Sequence, residues 1–163
     1  MDKDLPHSLK LITVWLLVGA AVFVAIQWWQ HRAQQTSFRV DGGTLEIRRG
    51  NDGHYHWPGR INGRPVDFLI DTGATGTAIP SSLADELKLD PIGNVRSNTA
   101  GGVVTGTVVR ADIELQGGVR VERLQVVALP RLGGNPLLGM DVLGKLQWQQ
   151  RDGVLKIELA DLR

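Results

Sequence analysis

The sequence of 163 residues contains no cysteine. The fold therefore has no disulfide, no zinc site with thiolate ligands and no cysteine nucleophile. The absence of cysteine does not identify the redox compartment, because many proteins in oxidising compartments also lack disulfides. Any catalytic group in this chain must come from another residue type.

A surplus of charge is also missing, since 18 basic residues are matched by 17 acidic ones. A nucleic-acid-binding domain usually has a basic surface or a basic stripe along one element. Here the arginines are scattered, and acidic residues lie among them. The composition therefore predicts no nucleic-acid partner.

One segment near the start lacks charge altogether, because residues 11–26 contain no charged side chain. Residues 11–29 would form a helix roughly 28 Å long, which is close to the hydrocarbon thickness of a bilayer. Trp15, Trp28 and Trp29 would suit interfacial positions near its ends. A cleaved signal peptide is the alternative, but the apolar run is long for one and lacks a clear small-x-small cleavage site. We expect an uncleaved transmembrane signal-anchor.

The sequence predicts four consecutive parts: a cytoplasmic tail (1–10), the membrane segment (11–29), a linker (30–43) and one folded domain (44–163). Basic residues flank the membrane segment on both sides, so the positive-inside bias is weak. The short leading tail and the large trailing domain favour a domain outside the cytoplasm. The last part, about 120 residues, is enough for one compact domain and not for two.

The domain has mostly strand-like patterns. Asn62-Gly63 and Asp152-Gly153 each separate two apolar, alternating runs, which is a hairpin signal. Every second residue over 103–115 is apolar or threonine, as expected for one face of a long strand, and Gly117-Gly118 then turns the chain back. These signals predict an all-β domain, a compact closed barrel.

Two short helices are also predicted. Residues 83–87 would form the first, entered through Ser82 with Asp85 three positions later, as in a capping box. Residues 142–145 would form the second, with Asp141 as its N-cap.

The most informative motif follows the apolar run 68–70, which ends at Asp71. A lone aspartate at a strand end is usually a turn former or a helix cap, but the sequence continues with Thr72, Gly73 and Ala74. Asp71 supplies a carboxylate, and the Thr72 hydroxyl could hydrogen-bond to a partner loop. Gly73 lets the backbone approach closely and donate its N–H to the carboxylate, while Ala74 is small enough for tight packing.

Two further motifs follow in order: a glycine-rich segment, residues 97–103, and the run Leu-Leu-Gly-Met-Asp at residues 137–141. Together with Asp71 they resemble a retropepsin-like (retroviral-type) aspartic protease of the bacterial, membrane-anchored kind. The resemblance covers about residues 53–160 plus the anchor. Asp141 stands where bacterial members often have serine and retroviral members have aspartate or asparagine.

The resemblance implies a homodimeric peptidase that acts on protein or peptide substrates. Each protomer contributes one Asp71 to a catalytic dyad, which Thr72, Gly73 and Ala74 position, and neither a metal nor an organic cofactor is required. The flap that covers the substrate would contain Thr99, Ala100, Gly101 and Gly102. Structural support beneath the dyad would come from Leu138, Gly139 and Asp141.

The same resemblance implies a single-pass protein of the bacterial inner membrane, with its protease domain in the periplasm. Asp141 is expected to be a cap or a structural ion-pair partner, and a second catalytic carboxylate is the alternative. His54 and His56 lie two positions apart on a predicted strand and so share a face. A surface or interface strand explains them better than a metal site.

Two other functions fit parts of the sequence. Residues 71–77 superficially resemble the phosphate loop of actin-like and sugar-kinase ATPases, although that fold needs two lobes and a much longer chain. A membrane-tethered binding or assembly module of the same fold is the other alternative. Against it, a binding role would not require the carboxylate of Asp71.

Overall fold

The computed structural model describes residues 7–33, 38–41, 43–99 and 102–159. The chain divides into two compact units, residues 1–35 and residues 36–163. The exact boundaries of the tail, membrane segment, linker and domain stay predictions.

The described part of the first unit is a single helix, α1 (His7–Ala33). Its segment Leu11–Trp28 is long and apolar enough to cross a membrane, and a signal sequence near the N-terminus would meet the same test. Every side chain of that segment is exposed. The helix continues beyond the predicted span at both ends because the flanking residues include no glycine or proline.

The second unit is built mainly of strands. Two short helices, α2 (Ser81–Glu86) and α3 (Met140–Leu143), interrupt them. The strands are β1 (Phe38–Asp41), β2 (Thr44–Arg48), β3 (His56–Ile61), β4 (Arg64–Ile70), β5 (Ala78–Pro80), β6 (Pro91–Thr99), β7 (Gly102–Leu115), β8 (Val119–Leu129), β9 (Leu137–Leu138), β10 (Gln147–Arg151) and β11 (Val154–Glu158).

The larger sheet closes into a barrel. Its strand order is β3-β4-β9-β5-β8-β7-β6, and β3 also pairs with β7. The extra pairing joins Ile61 to Ile113 and Gly59 to Leu115, so six strands form a closed ring while β6 pairs with β7 outside it. The predicted all-β barrel is confirmed. Closure leaves no exposed edge among the six ring strands.

The smaller sheet has four antiparallel strands in the order β1-β2-β11-β10. Leu45 of β2 lies opposite Ile157 of β11, and both side chains are fully buried. These residues belong to the same hydrophobic cluster as Trp57 and Phe68 of the barrel. The two sheets therefore share one core. The segment predicted as a linker contains the last residues of α1 and the whole of β1. The sequence pattern indicates β2, the partner strand of β1, more clearly than β1 itself.

The predicted hairpins form at both predicted turns. Asn62 and Gly63 have φ values of 47° and 81°, and Asp152 and Gly153 have values of 51° and 74°. A two-residue hairpin turn with positive φ at both residues has a twist that matches the twist of the paired strands. Asn-Gly and Asp-Gly adopt this turn readily. The turn chemistry therefore fixes the register of β3 with β4 and of β10 with β11.

Strand β7 has a buried half and an exposed half. Val109, Ala111, Ile113 and Leu115 are buried at every second position, as predicted. Val103, at the other end of the same strand, is 59% exposed. The C-terminal half of β7 thus lies in the barrel wall, whereas its N-terminal half pairs with β6 and carries the exposed Val103.

Both predicted helix caps were wrong. Helix α2 begins at Ser81, directly after Pro80 of β5, so Ser82 lies within its first turn and no side chain caps it. The φ of Pro80 is −59°, which lets the chain pass from strand into helix without a separate capping residue. In α3 the N-cap is Gly139, and Asp141 is the second helical residue.

Candidate active site

Asp71 lies directly after β4, where two neighbouring segments hold its backbone. Its N–H donates to the carbonyl of Leu138 at 3.1 Å. One residue earlier, the N–H of Ile70 donates to the carbonyl of Tyr55 at 2.9 Å. Asp71 is therefore fixed on one side by β9 and on the other by the residue that precedes β3.

The loop after Asp71 turns back onto its carboxylate. The N–H of Gly73 donates to Oδ1 of Asp71 at 2.9 Å, and the N–H of Ala74 donates to the Asp71 carbonyl at 3.2 Å. The Gly73 contact is the one predicted from the sequence. Thr72 is exposed, so its hydroxyl is accessible to a partner molecule. The backbone of the loop therefore binds Oδ1 of the Asp71 carboxylate.

The segment of residues 137–141 lies against this loop. Strand β9 runs parallel to β4, with Leu138 opposite Ile70. The N–H of Met140 then donates to the Ala74 carbonyl at 2.9 Å, and the N–H of Asp141 donates to the Thr75 carbonyl at 3.1 Å. The two motifs, far apart in sequence, form one continuous hydrogen-bonded unit.

The Asp141 carboxylate binds Thr77, a fully buried residue. Oδ2 accepts the Thr77 N–H at 2.9 Å, and Oδ1 accepts the Thr77 hydroxyl at 2.8 Å. Oδ1 also accepts the N–H of Val142 at 3.0 Å, in the first turn of α3. These contacts hold the backbone of Thr77 and the first turn of α3. The support of the dyad by Asp141 stays a prediction.

Gly139 permits the close approach of these two segments. A Cβ atom on Gly139 would lie closer than 3.0 Å to three backbone atoms of Gly76. Its φ of −93° is available to other residues, so the lack of a side chain is what matters here. The N–H of Gly139 donates to the Thr77 hydroxyl at 3.3 Å.

The flap predicted at residues 99–102 falls on the turn between β6 and β7. Thr99 lies opposite Gly102 in the antiparallel pairing. Ala100 and Gly101 lie outside the described residues. The role of these four residues over the substrate stays a prediction.

A cavity of about 230 Å³ lies beside Asp71. Its wall combines the Asp71 loop with the loop before β3 and with β10 and β11, and its lining residues are Arg49, Gly53, His54, Tyr55, Ile70, Asp71, Thr72, Leu143, Trp148, Gln150 and Leu155. The Arg49 guanidinium lies 5.5 Å from the centre of the Tyr55 ring. Among the described residues, no cluster of three or more His, Asp or Glu side chains could hold a metal ion.

Comparison with known proteins identifies the class. A family model for aspartyl protease matches residues 57–142, more than half of the sequence, so the chain belongs to the aspartyl protease family. The fold is similar to that of a retropepsin-like aspartic protease from Rickettsia conorii, with 22% identity and a TM-score of 0.56 over 74% of this chain and 93% of that one.

A second similar structure is the EIAV protease in complex with the inhibitor HBY-793. It has 20% identity and a TM-score of 0.51, covering 58% of this chain and 89% of that one. No curated protein sequence matches this chain. The family and the fold together define an aspartic endopeptidase with the retropepsin-like fold, which confirms the resemblance inferred from the motifs.

Sequence reasoning assigned no role in the site to Thr77 or to the loop of residues 49–55, and it placed His54 on a strand, whereas β3 begins at His56. Thr77 is the one buried polar residue among the described part of the chain, and a lone threonine before the apolar strand β5 was the available signal. The loop carries no catalytic motif and has no periodic pattern. Its place beside Asp71 follows from the pairing of β3 with β4, which brings Tyr55 to Ile70.

Replacing Asp141 with alanine is expected to destabilise the folded domain by about 2 kcal/mol, because the buried Thr77 N–H would lose its acceptor. Urea unfolding of the full-length chain in detergent, followed by tryptophan fluorescence, measures the change. Asp141→Asn keeps one acceptor oxygen and should lose less. Asp85→Ala, on the exposed face of α2, is the matched control. Equal stabilities for Asp141→Ala and Asp85→Ala would contradict the structural role.

Proposed function

We propose that this chain is a membrane-anchored aspartic endopeptidase that works as a homodimer. The observation that carries the proposal is the single Asp71 loop in a fold whose chemistry needs two carboxylates. Aspartic proteases share one proton between two aspartates that lie about 3 Å apart. A chain that supplies one such loop obtains the second carboxylate from another copy of itself.

In the proposed reaction, the two Asp71 side chains of the dimer carry one proton between them, because two close carboxylates cannot both ionise cheaply. The ionised carboxylate takes a proton from a water molecule held between them, and that water attacks the scissile carbonyl carbon. The protonated carboxyl hydrogen-bonds to the carbonyl oxygen. Collapse of the tetrahedral intermediate then breaks the C–N bond, and the leaving amine takes up a proton.

The residues after Asp71 would position the dyad. The Gly73 N–H, 2.9 Å from Oδ1, would hold the carboxylate in the orientation that faces the two-fold axis. Thr72 is exposed and would hydrogen-bond across the axis to the partner's loop. Ala74 leaves room for the backbone of residues 139–141, where Met140 donates to its carbonyl. Rigid placement matters because small displacements of a catalytic group reduce the rate strongly.

Residues beneath the loop and above it would have different tasks. Leu138, Gly139 and Asp141 would support the loop through the contacts with Asp71, Gly76 and Thr77 described above. Thr99, Ala100, Gly101 and Gly102 would form a flap that closes over a peptide and excludes water other than the nucleophile. The two groups can be separated experimentally, since support residues affect stability and flap residues affect the Michaelis constant.

Membrane attachment through α1 would also promote dimerisation. Holding protomers in one plane raises their effective concentration, so a weakly associating domain can still pair. We place the protein in the bacterial inner membrane with a single span and the protease domain in the periplasm. Labelling of engineered cysteines at residues 5 and 120 by an impermeant maleimide in intact spheroplasts tests this orientation: periplasmic labelling of the first alone would contradict it.

A subunit-mixing experiment tests the shared dyad. Wild-type chain in detergent is allowed to exchange subunits with a ninefold excess of Asp71→Asn chain. If pairing is random, wild-type dimers fall to about one tenth of their original amount, and cleavage of an unstructured protein falls with them.

The matched control is an Asp71→Asn chain with α1 and β1 truncated, added in the same excess. Light scattering measures whether this shortened chain still forms dimers. Mixed dimers are quantified by mass difference between tagged subunits. Unchanged cleavage in a sample that contains mostly mixed dimers would contradict a dyad built from two protomers. A cleavage rate that stays proportional to protein concentration, even at concentrations where the protein is monomeric, would also contradict the shared dyad.

A further inference from the structure

His56 contacts one carboxylate with each of its two ring nitrogens. Nδ1 lies 2.8 Å from Oδ2 of Asp67, and Nε2 lies 2.8 Å from Oδ2 of Asp52. His56 is the first residue of β3, and Asp67 belongs to the paired strand β4. Asp52 belongs to the loop of residues 49–55. The side chain of His56 is 15% exposed, whereas each carboxylate is about half exposed.

These two contacts need a protonated ring. A neutral imidazole has one N–H donor and one nitrogen lone pair, and an ionised carboxylate can only accept hydrogen bonds. Two ionised carboxylates on the two nitrogens are therefore both satisfied only by the imidazolium form, which donates from both nitrogens. After deprotonation, one nitrogen would face a carboxylate oxygen without a proton between them.

The contact with Asp52 ties the loop of residues 49–55 to the barrel. Within the loop, the His54 N–H donates to Oδ1 of Asp52 at 3.1 Å, and the Gly50 N–H donates to the His54 carbonyl at 2.7 Å. The loop ends at Tyr55, whose carbonyl accepts the N–H of Ile70. His54 and Tyr55 also line the cavity beside Asp71. The position of Asp52 thus affects the wall next to Asp71.

We propose that His56 is a proton-dependent positioning residue: its imidazolium holds the loop of residues 49–55 against β4 and fixes the wall beside Asp71 under acidic conditions. The titratable groups that face His56 are Asp52 from the loop and Asp67 from β4, and His54 of the same loop acts on Asp52. The effect on stability follows from these contacts alone. The effect on cleavage rests on the proposed function.

The titration of the two partners agrees with this role. Partial burial opposes the charge of His56, but the hydrogen bonds to Asp52 and Asp67 outweigh it and raise the pKa of His56. The hydrogen bond from His56 and the one from the His54 backbone lower the pKa of Asp52.

The pH range of the contact follows from these directions. The His56 contribution to stability is complete below the ordinary histidine pKa of about 6.5 and is lost as the pH rises through the raised value. The Asp52 contribution is complete above the ordinary aspartate pKa of about 3.9 and is lost as the pH falls through the lowered value. The contact between His56 and Asp52 is therefore complete between about pH 4 and 6.5.

Two variants of the full-length chain in detergent test the proposal. His56→Gln removes the imidazolium, and its melting temperature should lie about 3 °C below that of the wild type at pH 5 and match it at pH 8.5. Asp52→Asn replaces the carboxylate with an amide that accepts the His54 N–H through its oxygen and donates to a neutral His56 through its nitrogen. Its melting temperature should therefore not fall between pH 6 and 8.5 as that of the wild type does.

His54→Gln is the matched control for stability, because it removes a neighbouring histidine and leaves the three contacting side chains in place. It should keep the wild-type pH dependence of the melting temperature. A His56→Gln deficit that is the same at pH 5 and pH 8.5, or an Asp52→Asn profile that parallels the wild type, would overturn the proton-dependent contact.

Kinetics on an unstructured protein substrate test the link to the site. The kcat of the wild type should be about five times that of His56→Gln at pH 5, and the two values should become equal near pH 8. KM should change less than twofold. The effect on kcat is expected because the loop adjoins the residue before Asp71. A constant ratio across this range would overturn the positioning role. If the wild type cleaves nothing, the proposed function fails, and the melting profiles still decide whether the contact depends on a proton.

Discussion

Asp71→Asn is expected to lower kcat by about 10²–10⁴-fold, because the amide cannot take a proton from the attacking water. The substitution preserves the size of the side chain, and its oxygen can still accept the Gly73 N–H that now lies 2.9 Å from Oδ1. The fold and the dimer should therefore survive. Cleavage of an unstructured protein, followed across about pH 3–7 together with light scattering, measures activity and association in the same samples.

Asp85→Asn provides the matched control, since it makes the same chemical change on the exposed face of α2. It should retain wild-type activity at every pH. If Asp71→Asn cleaves as well as Asp85→Asn, the dyad mechanism is wrong. If the wild type forms dimers and yet cleaves no substrate, a membrane-tethered binding module becomes the better explanation of the fold.

Gly139→Ala is expected to destabilise the domain by about 3 kcal/mol, at the upper end of the cost of overpacking. The added Cβ would lie closer than 3.0 Å to backbone atoms of Gly76, and backbone cannot rotate away as a side chain can. The Asp71 loop must therefore shift, so cleavage should decrease even at temperatures where the variant stays folded. Urea unfolding and initial cleavage rates at 15 °C measure the two effects separately.

Gly134→Ala is the control for this substitution, because a Cβ at Gly134 would meet no atom within 4 Å. Its stability should stay within about 0.5 kcal/mol of the wild type. A Gly139→Ala variant with the stability and rate of Gly134→Ala would show that the contact between residues 76 and 139 is not tight in solution.

Local turn chemistry explains why much of the barrel could be predicted. Asn-Gly at 62–63 and Asp-Gly at 152–153 adopt positive φ readily, so the sequence itself identifies two hairpins. Alternation in β7 identifies a strand with one buried face over residues 109–115. The motifs at residues 71–74, 97–103 and 137–141 together suggest the family, which the match to the aspartyl protease model confirms.

Other features depend on contacts between distant residues, which local patterns do not encode. Strand β9 has only two residues and forms because β4 and β5 lie on either side of it. Asp141 resembles a helix N-cap in the sequence, but it lies inside α3, and its carboxylate binds the distant Thr77 as well as the neighbouring Val142 N–H. The Asp52–His56–Asp67 contact requires the exact register of β3 with β4, since a slip of one residue would place Asp67 on the buried face.

The ATPase alternative was suggested by residues 71–77 alone. In the structure these residues connect β4 to β5 within one closed barrel, and Thr77 binds Asp141. A nucleotide-binding fold of the actin kind has two lobes, whereas the described part of the second unit has a single core. The resemblance to a phosphate loop was therefore a coincidence of small and hydroxyl residues.

The distance in sequence between Thr77 and Asp141 has a consequence for biosynthesis. The two residues are 64 positions apart, and the Asp71 loop has its supporting contacts only after residues 137–141 have joined it. A nascent chain that has exposed the Asp-Thr-Gly loop but not yet the later segment lacks the contacts that rigidify it. Contacts between such distant segments form late in folding. Because synthesis proceeds from the N-terminus, the supporting contacts of the Asp71 loop are completed only after residues 137–141 have been made.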